Sequence, residues 1–126
     1  MPNPIYALHI QSSKRNTIAT FTRPNGEVVS TYTGGNVGFK KGNRSSYEAG
    51  FQCAMRTFET VRKFAEITGG KMAIHMYLSG FGNGRDAVFR ALMAQEGEDV
   101  RGFITQVTDK TPIKIGGTRA MKARRL

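Results

Sequence analysis

One amphipathic segment limits the folds open to this chain more than any other feature. Phe51, Met55, Phe58, Val61 and Ala65 recur at three- and four-residue spacing and form a single apolar stripe on a helix. Ser45-x-x-Glu48 fits a capping box at its start, where hydroxyl and carboxylate each meet a free amide, and Gly69-Gly70 supplies the stop. Such a stripe must be buried, and the sequence on both sides reads as strands. Leu8 and Ile10 alternate with Ala7, His9 and Gln11 over residues 5–12, and the β-branched run Thr17–Thr22 follows. Arg23-Pro24-Asn25-Gly26 is a turn, because Pro fixes φ and Asn-Gly tolerates left-handed backbone. Glu27–Thr33 then completes a meander. After the helix, Met72, Ile74, Met76 and Leu78 alternate as a fourth strand. A second helix is predicted from about Asp86 to Glu96, with Val88, Ala91, Leu92 and Gln95 facing inward. A solvated turn at Glu96, Glu98 and Asp99 leads to a last strand over 100–107. The order βββαβαβ predicts one α/β domain: a mixed sheet of about five strands with two helices, right-handed crossovers making the later strands parallel. The expected division is a globular body over residues 1–112 and an extended basic tail over 113–126.

Charge is distributed unevenly along the 126 residues, which carry a net +10. Residues 1–44 hold Lys14, Arg15, Arg23, Lys40, Lys41 and Arg44 against Glu27 alone, while residues 45–109 balance seven basic groups with eight acids. The last seventeen residues hold Lys110, Lys114, Arg119, Lys122, Arg124 and Arg125 and no acid. Like charges at this density repel one another, and a dense polyanion relieves that repulsion while releasing its own counterions. The expected partner is therefore RNA or DNA. The tail has few large apolar residues with which to bury itself, so it is expected to be disordered when free. Residues 114–126 could span roughly 45 Å when extended. A groove-binding arm and a solubility tail are both open readings of it.

Two further stretches suggest phosphate. Gly80-Phe81-Gly82-Asn83-Gly84-Arg85 joins a strand to a helix, so glycines would let backbone approach an anion and Arg85 would add charge. The stretch lacks the Lys-Ser/Thr of a Walker loop, and Arg85 stands where a dinucleotide fingerprint needs its third glycine. A plain tight turn is the competing reading. Gly38-Phe39-Lys40-Lys41-Gly42-Asn43-Arg44, just before the Ser45-Ser46 helix start, mixes flexible backbone, cations and a ring. Its alternative is a solvated loop.

Catalysis finds little support. His9 and His75 lie in strands without metal-ligand spacing, and Cys53 stands beside the buried stripe as a small core residue. A lone cysteine allows neither an internal disulfide nor a cysteine-based metal cluster, which suits a reducing compartment. The apolar runs are too short to span a bilayer, and the opening MPNPIYALHI has the composition of neither a signal peptide nor an Arg-rich transit peptide.

Four ordered blocks resemble the universal small-subunit ribosomal protein eleven family. Arg15-Asn16-Thr17-Ile18 is similar to its Asn-Asn-Thr-Ile hairpin, and Gly34-Gly35-Asn36-Val37-Gly38-Phe39-Lys40 to its Ala-Gly-x-x-Gly-Phe-Lys segment. Gly80-x-Gly82-x-Gly84-Arg85 with Arg90-Ala91-Leu92 resembles its Gly-Pro-Gly-x-Gly-Arg…Arg-Ala-Leu block. Asp109-x-Thr111-Pro112-Ile113 with Gly117, Arg119, Lys122, Arg124 and Arg125 resembles its C-terminal ending. There are departures: Phe81 and Asn83 replace prolines, Ser79 replaces lysine, Lys41 is an insertion, and Ile115-Gly116, Thr118 and Ala120-Met121 replace other family residues. This drift from the bacterial pattern points to an organellar, mitochondrial member, with a chloroplast or the bacterial cytoplasm as alternatives.

The resemblance implies a ribonuclease-H-like topology and a non-enzymatic constituent of the small ribosomal subunit. It implies binding to small-subunit rRNA on the platform, near the mRNA exit path and the E site, beside neighbouring platform proteins. It implies neither a membrane partner nor a homo-oligomer, and no cofactor beyond Mg ions carried by the rRNA. The residues expected at the RNA are Lys14, Arg15, Asn16 and Thr17; Arg23 and Asn25; Gly38, Phe39, Lys40, Lys41, Gly42, Arg44, Ser45 and Ser46; Gly80, Gly82, Gly84, Arg85 and Arg90; and Lys114, Gly117, Arg119, Lys122, Arg124 and Arg125. The rival readings are a free-standing nucleic-acid-binding architectural protein and a nucleotide-dependent enzyme using the Gly80–Arg85 turn.

Overall fold

Alternation in the strands decides which way the sheet faces. Tyr6, Leu8 and Ile10, then Ala19 and Phe21, then Ile74, Met76 and Leu78 all project to one side and are buried there. The computed structural model describes residues 4–40, 43, 46–94 and 97–111. Its strands are β1 (Ile5–Ser12), β2 (Thr17–Thr22), β3 (Val28–Thr33), β4 (Ala73–Ser79) and β5 (Ile104–Asp109). They form one sheet in the order β3-β2-β1-β4-β5. The meander pairs antiparallel, while β4 lies parallel to β1 and β5 parallel to β4, as the crossover argument requires. The α/β class and the five-stranded mixed sheet are as expected from the sequence.

Both long helices cover the same face. Helix α1 (Tyr47–Thr68) brings Cys53, Phe58 and Val61 onto the sheet, and α2 (Asn83–Met93) brings Val88, Ala91 and Leu92. Tyr6 stacks on Phe21 at 5.5 Å, and the edge of Phe64 closes on both rings. Each fully buried side chain of this size contributes about 1.5–3 kcal/mol by leaving water, so this layer carries most of the fold's stability. Burial pushes the Cys53 thiol up to about 11, consistent with a core residue and not a reactive one.

The helix ends depart from the sequence reading in instructive ways. The N-cap of α1 is Ser46, whose hydroxyl accepts from the Ala49 amide at 3.2 Å and donates to the Asn43 carbonyl at 2.7 Å. The Ser45–Glu48 box is thereby corrected by one position, and Glu48 serves in the first turn as an acid near the helix dipole. The stop is as expected: Gly69 adopts φ 67°, and the amides of Gly69 and Gly70 return to the Glu66 and Ala65 carbonyls. Helix α2 begins at Asn83, three residues before Asp86, because its first turn is capped from elsewhere in the chain. The Arg85 amide donates to the Ser12 hydroxyl at 3.2 Å. Gln95 and Glu96 lie outside the described residues.

The predicted solvated turn at 98–99 is a four-residue helix, α3 (Glu98–Arg101), so the helices among the described residues number three and β5 starts at Ile104 rather than at Val100. Val100 is fully buried and anchors α3 to the core. Gly97 makes the close approach feasible, since a Cβ there would stand 2.4 Å from the Ala91 carbonyl oxygen.

Candidate nucleic-acid interface

The carboxyl ends of β1, β4 and β5 finish at one edge of the molecule, where β2 begins and β3 ends. Four connections therefore meet there: Ser13–Asn16, the loop from Gly34 to Lys40, the Gly80–Gly82 turn, and Lys110–Thr111. Helix α2 also starts here, and its Gly84 packs on α1 at Gly50, where a Cβ would lie 2.7 Å from the Gly84 Cα.

The glycines of the 80–84 turn have a definite purpose. A Cβ on Gly80 would fall 1.8 Å from the Ser12 carbonyl oxygen, one on Gly82 2.5 Å from that of Ser13, and one on Gly84 1.9 Å from Thr17 Oγ1. Gly80 also holds φ 84°, a backbone state that favours glycine. The turn is thus pressed onto the β1–β2 connection, and its glycines serve that close packing. Thr17 and Gly84 are buried by this contact, so their assignment to an RNA surface is corrected: neither is accessible.

Other predicted residues hold the edge together. Asn16 Oδ1 accepts from the Thr17 amide at 2.8 Å and the Gly34 amide at 3.0 Å, tying the hairpin to the loop after β3. That loop folds back through the Phe39 amide to the Gly34 carbonyl, with Gly38 at φ 101°. Arg85 donates to the Gly80 carbonyl and to Asp109 Oδ2, both at 3.1 Å, and lies over the Phe81 ring at 5.0 Å. Asp109 in turn accepts from the Thr111 hydroxyl and amide, and the Gly80 amide donates to that same hydroxyl at 3.0 Å. Arg85 is therefore a clamp on the start of the C-terminal segment.

The Thr111 hydrogen bonds, assisted by Arg85, hold the Asp109 carboxyl down at about 2. A depressed carboxylate contributes stability that is present above its ordinary value near 4 and is lost as pH falls toward the folded value. The difference in unfolding midpoint between the wild type and Asp109→Asn is accordingly expected at neutral pH, closing as pH drops from about 4 to about 2. Acid-dependent denaturant titrations of both proteins check this, and a gap that stays constant through that window would refute the clamp.

Lys14, Arg15 and Lys40 are exposed, with no ion pair or hydrogen bond from their side chains among the described residues. Lys14 stands at a cleft of about 280 Å³ that it shares with Ser13, Phe81, Gly82 and Asn83. Arg23 and Asn25 do not join them. They occupy the β2–β3 turn at the opposite end of the sheet, where Asn25 Oδ1 accepts from the Glu27 amide and Arg23 covers the Phe64 ring at 5.7 Å. Arg90 projects from α2 over Tyr47 at 5.9 Å. Lys41, Gly42, Arg44, Ser45, Lys114, Gly117, Arg119, Lys122, Arg124 and Arg125 lie outside the described residues. On the uncovered sheet face His9 stacks on Tyr77 at 5.0 Å, and burial with the neighbouring Lys110 ammonium lowers its pKa.

Sequence reasoning assigned no role at this edge to the two residues that organise it, Ser12 and Asp109, although Asp109 stood in one of the family-like blocks. Asp-x-Thr was a legible turn signature in the second case. Ser12 left no local signal, because its partner is 73 positions away.

The fold defines a small basic two-layer α/β protein with Lys14, Arg15 and Lys40 exposed along one sheet edge. Similarity to known proteins narrows that description. The family model described as Ribosomal protein S11 matches residues 7–125. The small ribosomal subunit protein uS11 of Coprothermobacter proteolyticus is 39% identical over 123 residues, covering 98% of this chain and 90% of that protein. The mitochondrial-type uS11m proteins of Neurospora crassa and Schizosaccharomyces pombe are 38% and 35% identical over 96% and 100% of this chain. The chain spans only 32% and 55% of the length of those two fungal relatives. The chain belongs to the ribosomal protein S11 family.

Proposed function

We propose that the protein is a non-enzymatic structural constituent of a mitochondrial small ribosomal subunit, where it binds and organises rRNA. The observation that carries the reading is the placement of Lys14, Arg15 and Lys40. They stand exposed at the edge from which the chain continues past Thr111 into a segment rich in Lys and Arg. A folded body through residue 112 and a basic extension over 113–126 would let two separate stretches of cations approach one RNA surface. Neutralising phosphates there allows RNA segments to pack that would otherwise repel. Contacts of this kind read backbone and shape, with few bases recognised directly.

The mitochondrial assignment is supported by the two fungal relatives named uS11m. By the family resemblance, the finer placement is the subunit platform near the mRNA exit path and E site, as a single copy among neighbouring proteins. The glycine turn, pressed on its own hairpin, gives no support to a nucleotide-dependent enzyme. Sedimentation of the native protein from mitochondrial extract in a high-salt gradient tests the proposal. It is expected to travel with the small subunit, and quantitative release as free protein, or co-migration with DNA, would overturn it.

A further inference from the structure

We propose that Phe81 is a stacking platform for one unpaired nucleobase, with Lys14 placed to meet the adjoining phosphate. The proposal rests on the RNA-binding reading above and assigns one residue a specific part in it. Phe81 is 77% exposed at the tip of a turn whose backbone is otherwise clamped against the chain. An aromatic ring left this open buries little apolar surface for the fold. Its orientation is nonetheless constrained: the Arg85 guanidinium lies over the ring, and is itself held by the Gly80 carbonyl and Asp109. A ring fixed before binding loses little side-chain entropy when a ligand covers it.

The surroundings select the ligand. The cleft beside the ring is lined by a cation, Lys14, a hydroxyl residue, Ser13, and an amide residue, Asn83, and its volume of about 280 Å³ admits a single nucleotide. A protein-docking hot spot would need an apolar surround to exclude water, whereas the other lining residue is Gly82. One π face beside one ammonium group suits a base and its phosphate, and stacking of this kind tolerates any base.

The test uses the full chain and two probes: a short single-stranded oligouridine, and an abasic oligomer with the same number of phosphates. Phe81→Ala and Phe81→Leu are expected to weaken oligouridine binding by roughly five- to a hundredfold. They should leave the abasic oligomer and the salt dependence unchanged, while Phe81→Tyr retains wild-type affinity. If both oligomers respond equally to Phe81→Ala, or neither responds, base stacking is excluded. Lys14→Ala/Arg15→Ala serves as the separate control. Should it reduce binding of both probes while Phe81→Ala does nothing, the phosphate grip survives and the stacking assignment alone falls. Should the wild type bind neither probe even at low salt, both fall together.

Discussion

Replacing Gly84 by alanine is expected to destabilise the protein by about 3 kcal/mol or more, at the upper end of overpacking costs. The new methyl would lie 1.9 Å from Thr17 Oγ1, 2.6 Å from Cγ2 and 2.7 Å from Cβ, all belonging to a buried strand residue. Relief by a local shift is blocked on the other side, where Gly84 already touches α1 at Gly50. The loss is a large share of the roughly 5–15 kcal/mol that holds a domain together, and should lower the thermal midpoint by roughly 10–20 °C. Thr17→Ala offers a rescue. Its hydroxyl is buried with no hydrogen-bond partner among the described residues, so removing it forfeits no polar interaction. The Gly84→Ala/Thr17→Ala double variant is therefore expected to lose less than the sum of the single changes, with a coupling of about 0.5–3 kcal/mol. Strict additivity in a denaturant titration would show that the two residues do not share this contact.

The second large effect concerns RNA. Removing one cation from a phosphate lowers the slope of log affinity against log salt by about 0.7 for single strands and 0.9 for a duplex. Neutralising Arg119, Lys122, Arg124 and Arg125 together should flatten that slope by about 3 and reduce affinity most at low salt. Lys14→Ala/Arg15→Ala should flatten it by about 1.5. Arg23→Ala/Arg90→Ala removes the same charge as the latter pair, but from the far turn and from the ring-covered outer side of α2. Its effect on the slope is expected to be small. Equal effects from the two double variants would mean that net charge, and not the position of Lys14 and Arg15, governs binding.

That contrast could not have been drawn from the sequence, where Arg23 and Lys14 lie only nine positions apart. Strand β2 separates them: a strand of six residues carries its two ends to opposite sides of the sheet. The same cause redistributed the predicted site. Arg85 was legible as a cation following a glycine turn, but its engagement by Asp109 depends on β5 ending beside β4, a pairing between segments 24 positions apart.

Local chemistry determined what local chemistry controls. Period-two alternation located β1 and β4, the β-branched run located β2, the stripe from Phe51 to Ala65 located α1, and Gly69 terminated it, because each of these signals concerns neighbours within one or two turns of backbone. The sequence likewise determined the charge excess. The tertiary structure decided which glycines are there for packing, where α2 starts, and which cations are left uncommitted. Those outcomes depend on Ser12, Thr17 and Asp109 meeting residues far away in the chain, and spacing along a sequence carries no information about distances closed by folding.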